Sequence, residues 1–266
     1  MKYTYAELAG MIDHSLLHPT MTDQELEEGC RLAAQYGVAS VCIKPCAVAR
    51  AVAWLQGTRV RVGCVIGFPH GTSATEVKRY ETELACREGA VEIDMVINVG
   101  KALSGDWGYV ERDIEAVCRE AHRHGAQVKV ILENDYLASG GAGLASDELK
   151  RRLCQIAERA GADWVKTSTG YGFVKGPDGK YGYQGATEHD LKLMRASCSS
   201  QVQVKAAGGV RNLDGLIRVR ELGGSRCGAT ATREMLDEYR RREAAEAAGG
   251  HGTVSPQAGG LGSGGY

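Results

Sequence analysis

Eight times between Met11 and Ala248 the chain repeats one pattern: a short β-branched, apolar run, a loop, then an amphipathic segment that tends to end near glycine. Such runs read as strands and such segments as helices. The predicted strands are 11–17, 38–43, 60–66, 92–97, 128–132, 164–167, 202–206 and 226–229. The predicted helices are 22–36, 47–55, 75–88, 107–124, 146–160, 187–196, 213–222 and 233–248. Thr22 and Glu25 have the spacing of a capping box, Ser146 stands where an N-cap belongs, and Gly125 and Gly161 follow helices that they would stop.

Strict strand–helix alternation demands parallel strands joined by right-handed crossovers. Eight such units in about 240 residues favour a closed (β/α)8 TIM barrel. The competing α/β arrangement is a doubly wound open sheet. It would normally show a GxGxxG turn after the first strand, and none is present. The expected fold is therefore one barrel domain over residues 1–248, with a short N-terminal helix ahead of the first strand. Two segments fall outside the repeat. Residues 173–184 lengthen the loop after the sixth strand, and Gly176-Pro177-Asp178-Gly179 reads as a tight turn at the tip of a small hairpin. Residues 249–266 hold eight glycines in 18 positions and read as a flexible, disordered Gly-rich tail.

Charge narrows the function classes. The formal net charge is −1, from 32 basic and 33 acidic residues, which gives no nucleic-acid or membrane-surface signature. No run approaches the roughly 18 apolar residues of a membrane span. The N-terminal residues lack the apolar stretch of a signal peptide, so a cytoplasmic location is expected. Nine cysteines, at 30, 42, 46, 64, 86, 118, 154, 198 and 227, form no CxxC pair, and most read as small buried hydrophobes in a reducing compartment. Cys46, beside Pro45, is the candidate for an exposed thiol. Neither the cysteines nor His14, His18 and His70 have the spacing of a metal-ligand set, so no metal and no cofactor is expected.

Strands covered on both faces should be almost wholly apolar. Asp94, Lys129, Lys166 and Lys205 break that rule on the fourth to seventh strands. In a barrel they belong to the interior or to the C-terminal mouth, where sites of this fold lie. Glu133 follows close by at the end of the fifth strand. One reading is a buried ion-pair network. The other is that an excess of amines in low dielectric lowers one lysine's pKa and makes it a nucleophile. Gly208-Gly209-Val210-Arg211 after the seventh strand and Gly228-Ala229-Thr230-Ala231-Thr232 after the eighth lie where barrels often bind phosphate.

Taken together, the chain resembles the deoxyribose-phosphate aldolases, a metal-independent, Schiff-base family of (β/α)8 barrels. The likeness rests on Ile12 to Leu17, Val41 to Pro45, Val65 to Gly71, Glu92 to Gly100, Val128 to Glu133, Val165 to Gly170 and Val204 to Arg211. It implies that Lys166 is the Schiff-base lysine, Lys205 the lysine that depresses its pKa, and Asp94 the acidic partner in a proton relay. It also implies a substrate site drawn from Asp13, Ser15, Cys42, Lys129, Thr167 and Gly170. Gly208 and Gly209 match the first phosphate loop, with Ala231 and Thr232 in the second. The sequence departs from the family in that second loop, where a Gly-Thr-Ser-Ser-Gly-like run is usual and Thr232 stands in place of glycine. It departs also in the 173–184 insertion and in its C-terminal segment.

The expected activity is cleavage of 2-deoxy-D-ribose 5-phosphate to glyceraldehyde 3-phosphate and acetaldehyde, by a homodimer or higher homo-oligomer that engages neither nucleic acid nor membrane. The altered loop keeps open a Schiff-base aldolase for another, unphosphorylated aldehyde or ketose. A non-catalytic phosphosugar-binding barrel is the alternative of a different class.

Overall fold

The computed structural model describes residues 1–176, 178–248 and 261. In chain order its elements are α1 (Tyr5–Ala9), β1 (Ile12–Leu16), α2 (Asp23–Tyr36), β2 (Ser40–Ile43), α3 (Val48–Trp54), β3 (Arg61–Ile66), α4 (Thr75–Arg87), β4 (Glu92–Val96), α5 (Val99–Leu103), α6 (Trp107–Arg123), β5 (Gln127–Ile131) and α7 (Ser146–Arg159). There follow β6 (Trp164–Lys166), β7 (Val174–Lys175), β8 (Tyr181–Gly182), α8 (Glu188–Ser197), β9 (Gln203–Ala207), α9 (Leu213–Glu221), β10 (Arg226–Ala229) and α10 (Thr232–Ala247). Strands β1, β2, β3, β4, β5, β6, β9 and β10 close in that order into a parallel barrel, with β10 pairing back onto β1. Every strand and helix expected from the repeat is present, with ends displaced by at most two residues.

The alternation inside each strand explains the two-sided barrel. Ile93 and Met95 of β4, Val128 and Val130 of β5, Val165 of β6, and Val204 and Ala206 of β9 face outward into the apolar layer under the helices. Residues between them point to the barrel axis, since successive strand side chains face opposite ways. Helices meet that layer with one face each: α6 buries Val110, Ile114, Val117, Cys118 and Ala121, a helical stripe. Burying each such Val, Leu or Ile contributes about 1.5–3 kcal/mol. The barrel axis is a different matter. Many barrels fill it with Val, Ile and Leu, whereas here charged side chains occupy much of it.

Local signals fare unevenly. The Thr22–Glu25 capping box forms at α2. Ser146 is instead the first residue of α7 and Ala145 takes the cap position, where it has no side-chain oxygen to offer the helix. The helix α5 and the 3-10 turns Pro45–Ala47 and Asn134–Leu137 were not anticipated, since each is too short to show a period. The inserted segment does form an antiparallel hairpin, pairing Val174 with Gly182 and Lys175 with Tyr181. Pro177 at its tip lies outside the described residues, as does the proposed tail apart from Leu261, which packs partly buried against the core. Cys46 is exposed and six of the nine cysteines are buried. Among the described residues, no helix is long and apolar enough to cross a membrane.

Candidate active site

Strand register assembles the charged residues. Asp94 sits directly beside Lys129 across the β4–β5 pair, and Lys166 directly beside Lys205 across β6–β9. Arg226 of β10 sits beside Lys205. All of these side chains are buried.

The amines converge on Asp94. Lys166 Nζ and Lys205 Nζ both donate to Asp94 Oδ2 at 2.7 Å, and Lys129 Nζ donates to Oδ1 at 2.9 Å. Lys205 also pairs with Asp13 Oδ2 at 2.6 Å. Lys129 donates to Glu92 at 2.6 Å and lies 3.6 Å from Asp13. Arg226 joins Asp13 to Glu92, and Ser40 donates its hydroxyl to Asp13 at 2.7 Å. Beneath the amines the Trp164 ring takes the cations of Lys129 and Arg226 at 5.8 and 5.5 Å from its centroid.

This corrects the charge inventory drawn from the sequence. That inventory set one or two carboxylates against three lysines. Among the described residues, the structure sets Asp13, Glu92 and Asp94 against the four buried cations Lys129, Lys166, Lys205 and Arg226, one negative charge short, and the exposed Arg61 also pairs with Glu92 at 3.1 Å. Glu92 and Arg226 begin their strands and point inward with the same parity as Asp94 and Gly228. Strand parity was the signal that could have found them.

The shortfall falls on one residue. Among the described residues, Lys129, Lys205 and Arg226 each pair with at least two carboxylates, and Lys166 pairs with one. Burial disfavours the Lys166 ammonium and Lys205 adds to that effect. Asp94 opposes both without overcoming them, so the pKa of Lys166 lies below the ordinary lysine value. Burial works against the Lys205 ammonium too, but Asp13 and Asp94 outweigh it and hold that pKa well above the ordinary value. Lys129 is likewise raised, with Asp94, Asp13 and Glu92 overcoming its burial. The same attractions outweigh burial for Asp94 and hold its carboxyl well below the usual range. Among the buried groups described, three fixed cations then face three fixed anions, and Lys166 is left as the amine that can be neutral.

Other sequence candidates separate into those at this centre and those engaged elsewhere. Cys42 Sγ lies 3.8 Å from Asp94 Oδ2, and burial, then Asp94, pushes its thiol up to about 11. Ser15 borders the same space, since a Cβ added at Gly228 would stand 3.5 Å from Lys205 Cε and 3.7 Å from Ser15 Oγ. Asp13 and Lys129 are committed to the ion pairs. The Thr167 hydroxyl donates to Ala207 O and accepts from Ala207 N–H, each at 3.0 Å, so it bridges β6 to β9. Gly170 turns the chain at φ 90°. Leu17, Cys42 and Val65 form a small apolar cluster with Phe68 and Tyr171, whose rings meet edge to face at 5.5 Å.

Glu133 has a larger place than the sequence gave it. It holds a left-handed backbone, φ 57°, and its buried carboxylate accepts the N–H of Thr169 at 3.1 Å and the Thr169 hydroxyl. It thereby pins the loop that leaves Lys166. Burial pushes its carboxyl up to about 7, against the pull of Thr169.

Of the phosphate loops, Gly208 and Gly209 adopt φ of 91° and 81°. Ala231 is the N-cap of α10 and supplies no side-chain hydrogen bond. Thr232 is buried, and its hydroxyl bonds His14 Nδ1 at 2.9 Å. That contact also accounts for His14, a buried imidazole whose pKa burial lowers to about 4. Among the described residues, no group of three or more His, Cys, Asp or Glu side chains is arranged to hold a metal ion.

A parallel (β/α)8 barrel with a lysine-rich polar centre among its strands defines a barrel enzyme of the amine-bearing type. Comparison with known proteins makes this specific: residues 8–236 match the model of the DeoC/LacD family aldolases, and the chain belongs to that family. The deoxyribose-phosphate aldolase of Rhodopirellula baltica is 48% identical over 240 residues, 90% of this chain and 92% of that one. A solved putative deoxyribose-phosphate aldolase from Coccidioides immitis superposes with a TM-score of 0.78 at 35% identity, covering 90% of this chain and 87% of that one. The tetrameric deoxyribose phosphate aldolase of Aeropyrum pernix gives 0.77 at 27% identity, covering 89% and 92%.

Proposed function

We propose that the chain cleaves 2-deoxy-D-ribose 5-phosphate to glyceraldehyde 3-phosphate and acetaldehyde, with Lys166 as the Schiff-base lysine. The observation that carries this reading is the single-carboxylate pairing of Lys166 beside the doubly paired Lys205. A neutral amine is the form that attacks a carbonyl.

The open-chain aldehyde condenses with Lys166 Nζ at C1 and loses water to give an iminium. As the C3 hydroxyl loses its proton, the C2–C3 bond breaks and its electron pair flows into the iminium. Glyceraldehyde 3-phosphate leaves and an enamine remains. Protonation at C2 regenerates the iminium, and hydrolysis releases acetaldehyde and the free lysine. Asp94, in contact with Lys166 and Lys205 through one oxygen, passes protons between the amines and the reacting carbons by way of water. Positioned proton transfer of this kind contributes about 10²–10⁴-fold.

The phosphate rests on the Gly208–Gly209 turn and on the first N–H groups of α10, which no side chain caps. The Thr232 hydroxyl does not obstruct it, because it is turned toward His14. The enzyme acts in the cytoplasm as a homo-oligomer, in keeping with the tetrameric relative from Aeropyrum pernix.

The test is turnover of 2-deoxy-D-ribose 5-phosphate by the wild type and by Lys166→Ala, with acetaldehyde and glyceraldehyde 3-phosphate quantified. Stoichiometric release by the wild type and loss in the variant are expected. Full activity in Lys166→Ala, or no cleavage by the wild type, rejects the reading.

A further inference from the structure

We infer that His14 and Thr232 are a positioning pair, which holds the loop between β10 and α10 in place for the phosphate end of the substrate. The inference rests on the substrate reading above.

The pair closes a short turn. In the β1–β10 register His14 stands directly beside Ala229, the last residue of β10. The chain then passes through Thr230 and Ala231 and begins α10 at Thr232. Asp13 faces the barrel centre, where it pairs with Lys205, so strand alternation turns His14 outward toward the helix layer. There its Nδ1 and the Thr232 hydroxyl are hydrogen bonded at 2.9 Å. One residue of β1 therefore meets both ends of the turn, by strand pairing at Ala229 and by its ring at Thr232.

The turn gets little help from its own side chains. Ala231 occupies the N-cap position and offers α10 no hydrogen bond, and Thr230 is exposed. The direction of the first N–H groups of α10 is set instead by the bond from its first residue back to the barrel wall. Both partners of that bond are buried. Burial lowers the His14 pKa to about 4, so the ring is neutral at working pH and the bond joins two neutral groups. A buried polar atom that loses its partner is costly, which makes such a bond a stiff strut.

The strut is anchored in the site. Asp13 and Ser15 flank His14 on β1. Asp13 pairs with Lys205 and Arg226, and Ser15 borders the space beside Lys205 and Gly228. His14, Ser15, Thr230 and Arg233 line one cavity of about 360 Å³, with Glu25 and Glu28 of α2 also on its wall. In the substrate, C1 meets Lys166 at one end and the phosphate lies at the other. A loop tied to β1 keeps the span between those two ends fixed before the sugar arrives, and pre-ordered contacts cost less on binding. Threonine at 232, where the resemblance led to glycine, thus gives the loop an anchor that glycine does not have. An unphosphorylated sugar makes no use of this loop, so the effect of the pair is confined to the phosphate ester.

The experiment compares Thr232→Val, which keeps the shape and deletes the hydroxyl, with Thr232→Gly and with Thr232→Ser, which keeps the hydroxyl. Steady-state kcat and KM are measured for 2-deoxy-D-ribose 5-phosphate and for 2-deoxy-D-ribose. Turnover of the unphosphorylated sugar reports an intact fold and an intact Lys166 in each variant. The ratio of kcat/KM between the phosphate ester and the free sugar is expected to fall roughly tenfold in Thr232→Val and Thr232→Gly, through KM for the ester. Thr232→Ser is expected to stay within about threefold of the wild-type ratio. If Thr232→Val does not fold, Thr232→Gly decides. An unchanged ratio overturns the inference, and so does a fall in Thr232→Ser as large as in Thr232→Val. A rise in Thr232→Gly overturns it too, since Thr232 would then obstruct the phosphate. Loss of both activities in both hydroxyl-free variants reduces the pair to a structural role and overturns it as well. Borohydride trapping on the wild type separates the two levels. An adduct at Lys166 with an unchanged ratio removes the His14–Thr232 inference alone, whereas no adduct removes the substrate reading and this inference with it.

Discussion

Lys166 and Lys205 share one acceptor: each donates to Asp94 Oδ2 at 2.7 Å. Their nitrogens therefore lie no more than 5.4 Å apart, twice that distance. Two ammonium charges at that separation repel by about 3 kcal/mol at an effective dielectric of about 20. Asp13 gives Lys205 a second partner, so the proton is lost from Lys166 first.

Replacing Lys205 with methionine removes the neighbouring charge and leaves Asp94 to Lys166 and Lys129. The Lys166 ammonium becomes more stable, its pKa rises, and less free amine is present at neutral pH. In Lys205→Met, kcat/KM at pH 7 should fall by about 10²–10⁴-fold. The acid limb of the pH–rate profile should move to higher pH. A limb that stays in place while activity falls would show that Lys205 acts by some other route.

Asp94→Asn leaves three buried lysines without their common carboxylate. Breaking one side of a buried ion-pair set typically costs about 3–5 kcal/mol, because uncompensated charge remains. Urea unfolding should register a loss of that order, along with loss of turnover. A variant as stable as the wild type would contradict the charge balance drawn here.

Glu133 predicts a pH dependence of stability with a definite sign. Its folded pKa is raised from 4.5 to about 7, so the folded state holds the proton more tightly than the unfolded state. Its stabilising contribution is complete below about pH 4.5 and is lost as pH rises to about 7. The shift corresponds to roughly 3 kcal/mol over that interval. Glu133→Gln has no such titration. The gap in unfolding free energy between variant and wild type should therefore shift in the variant's favour from pH 4.5 to pH 7.5. A pH-independent gap would show that Glu133 does not titrate in this range.

The barrel was legible because it is written in two periods. Short β-branched runs alternating with amphipathic segments leave few topologies, and strand burial made Asp94, Lys129, Lys166 and Lys205 stand out as charges in apolar runs. Glu92 and Arg226 were passed over because each opens its strand, where a charge usually means solvent. Their parity with Asp94 and Gly228 was the readable signal, and the closed register shows them facing inward. Thr167 illustrates the opposite limit: a hydroxyl beside Lys166 looks like a substrate contact until the backbone of β9 claims it. The reach of Tyr183 to Gly208 joins an insertion to a loop more than twenty residues on, a distance that no local pattern encodes.

Under the proposed function, Lys166 is the amine that bonds substrate. The most direct measurement is borohydride reduction in the presence of 2-deoxy-D-ribose 5-phosphate, followed by proteolysis and mass-spectrometric mapping of the modified lysine. A single substrate-derived adduct is expected on the peptide carrying Lys166, absent without substrate and absent in Lys166→Ala. An adduct on Lys205 or Lys129, or none under conditions of turnover, would contradict it.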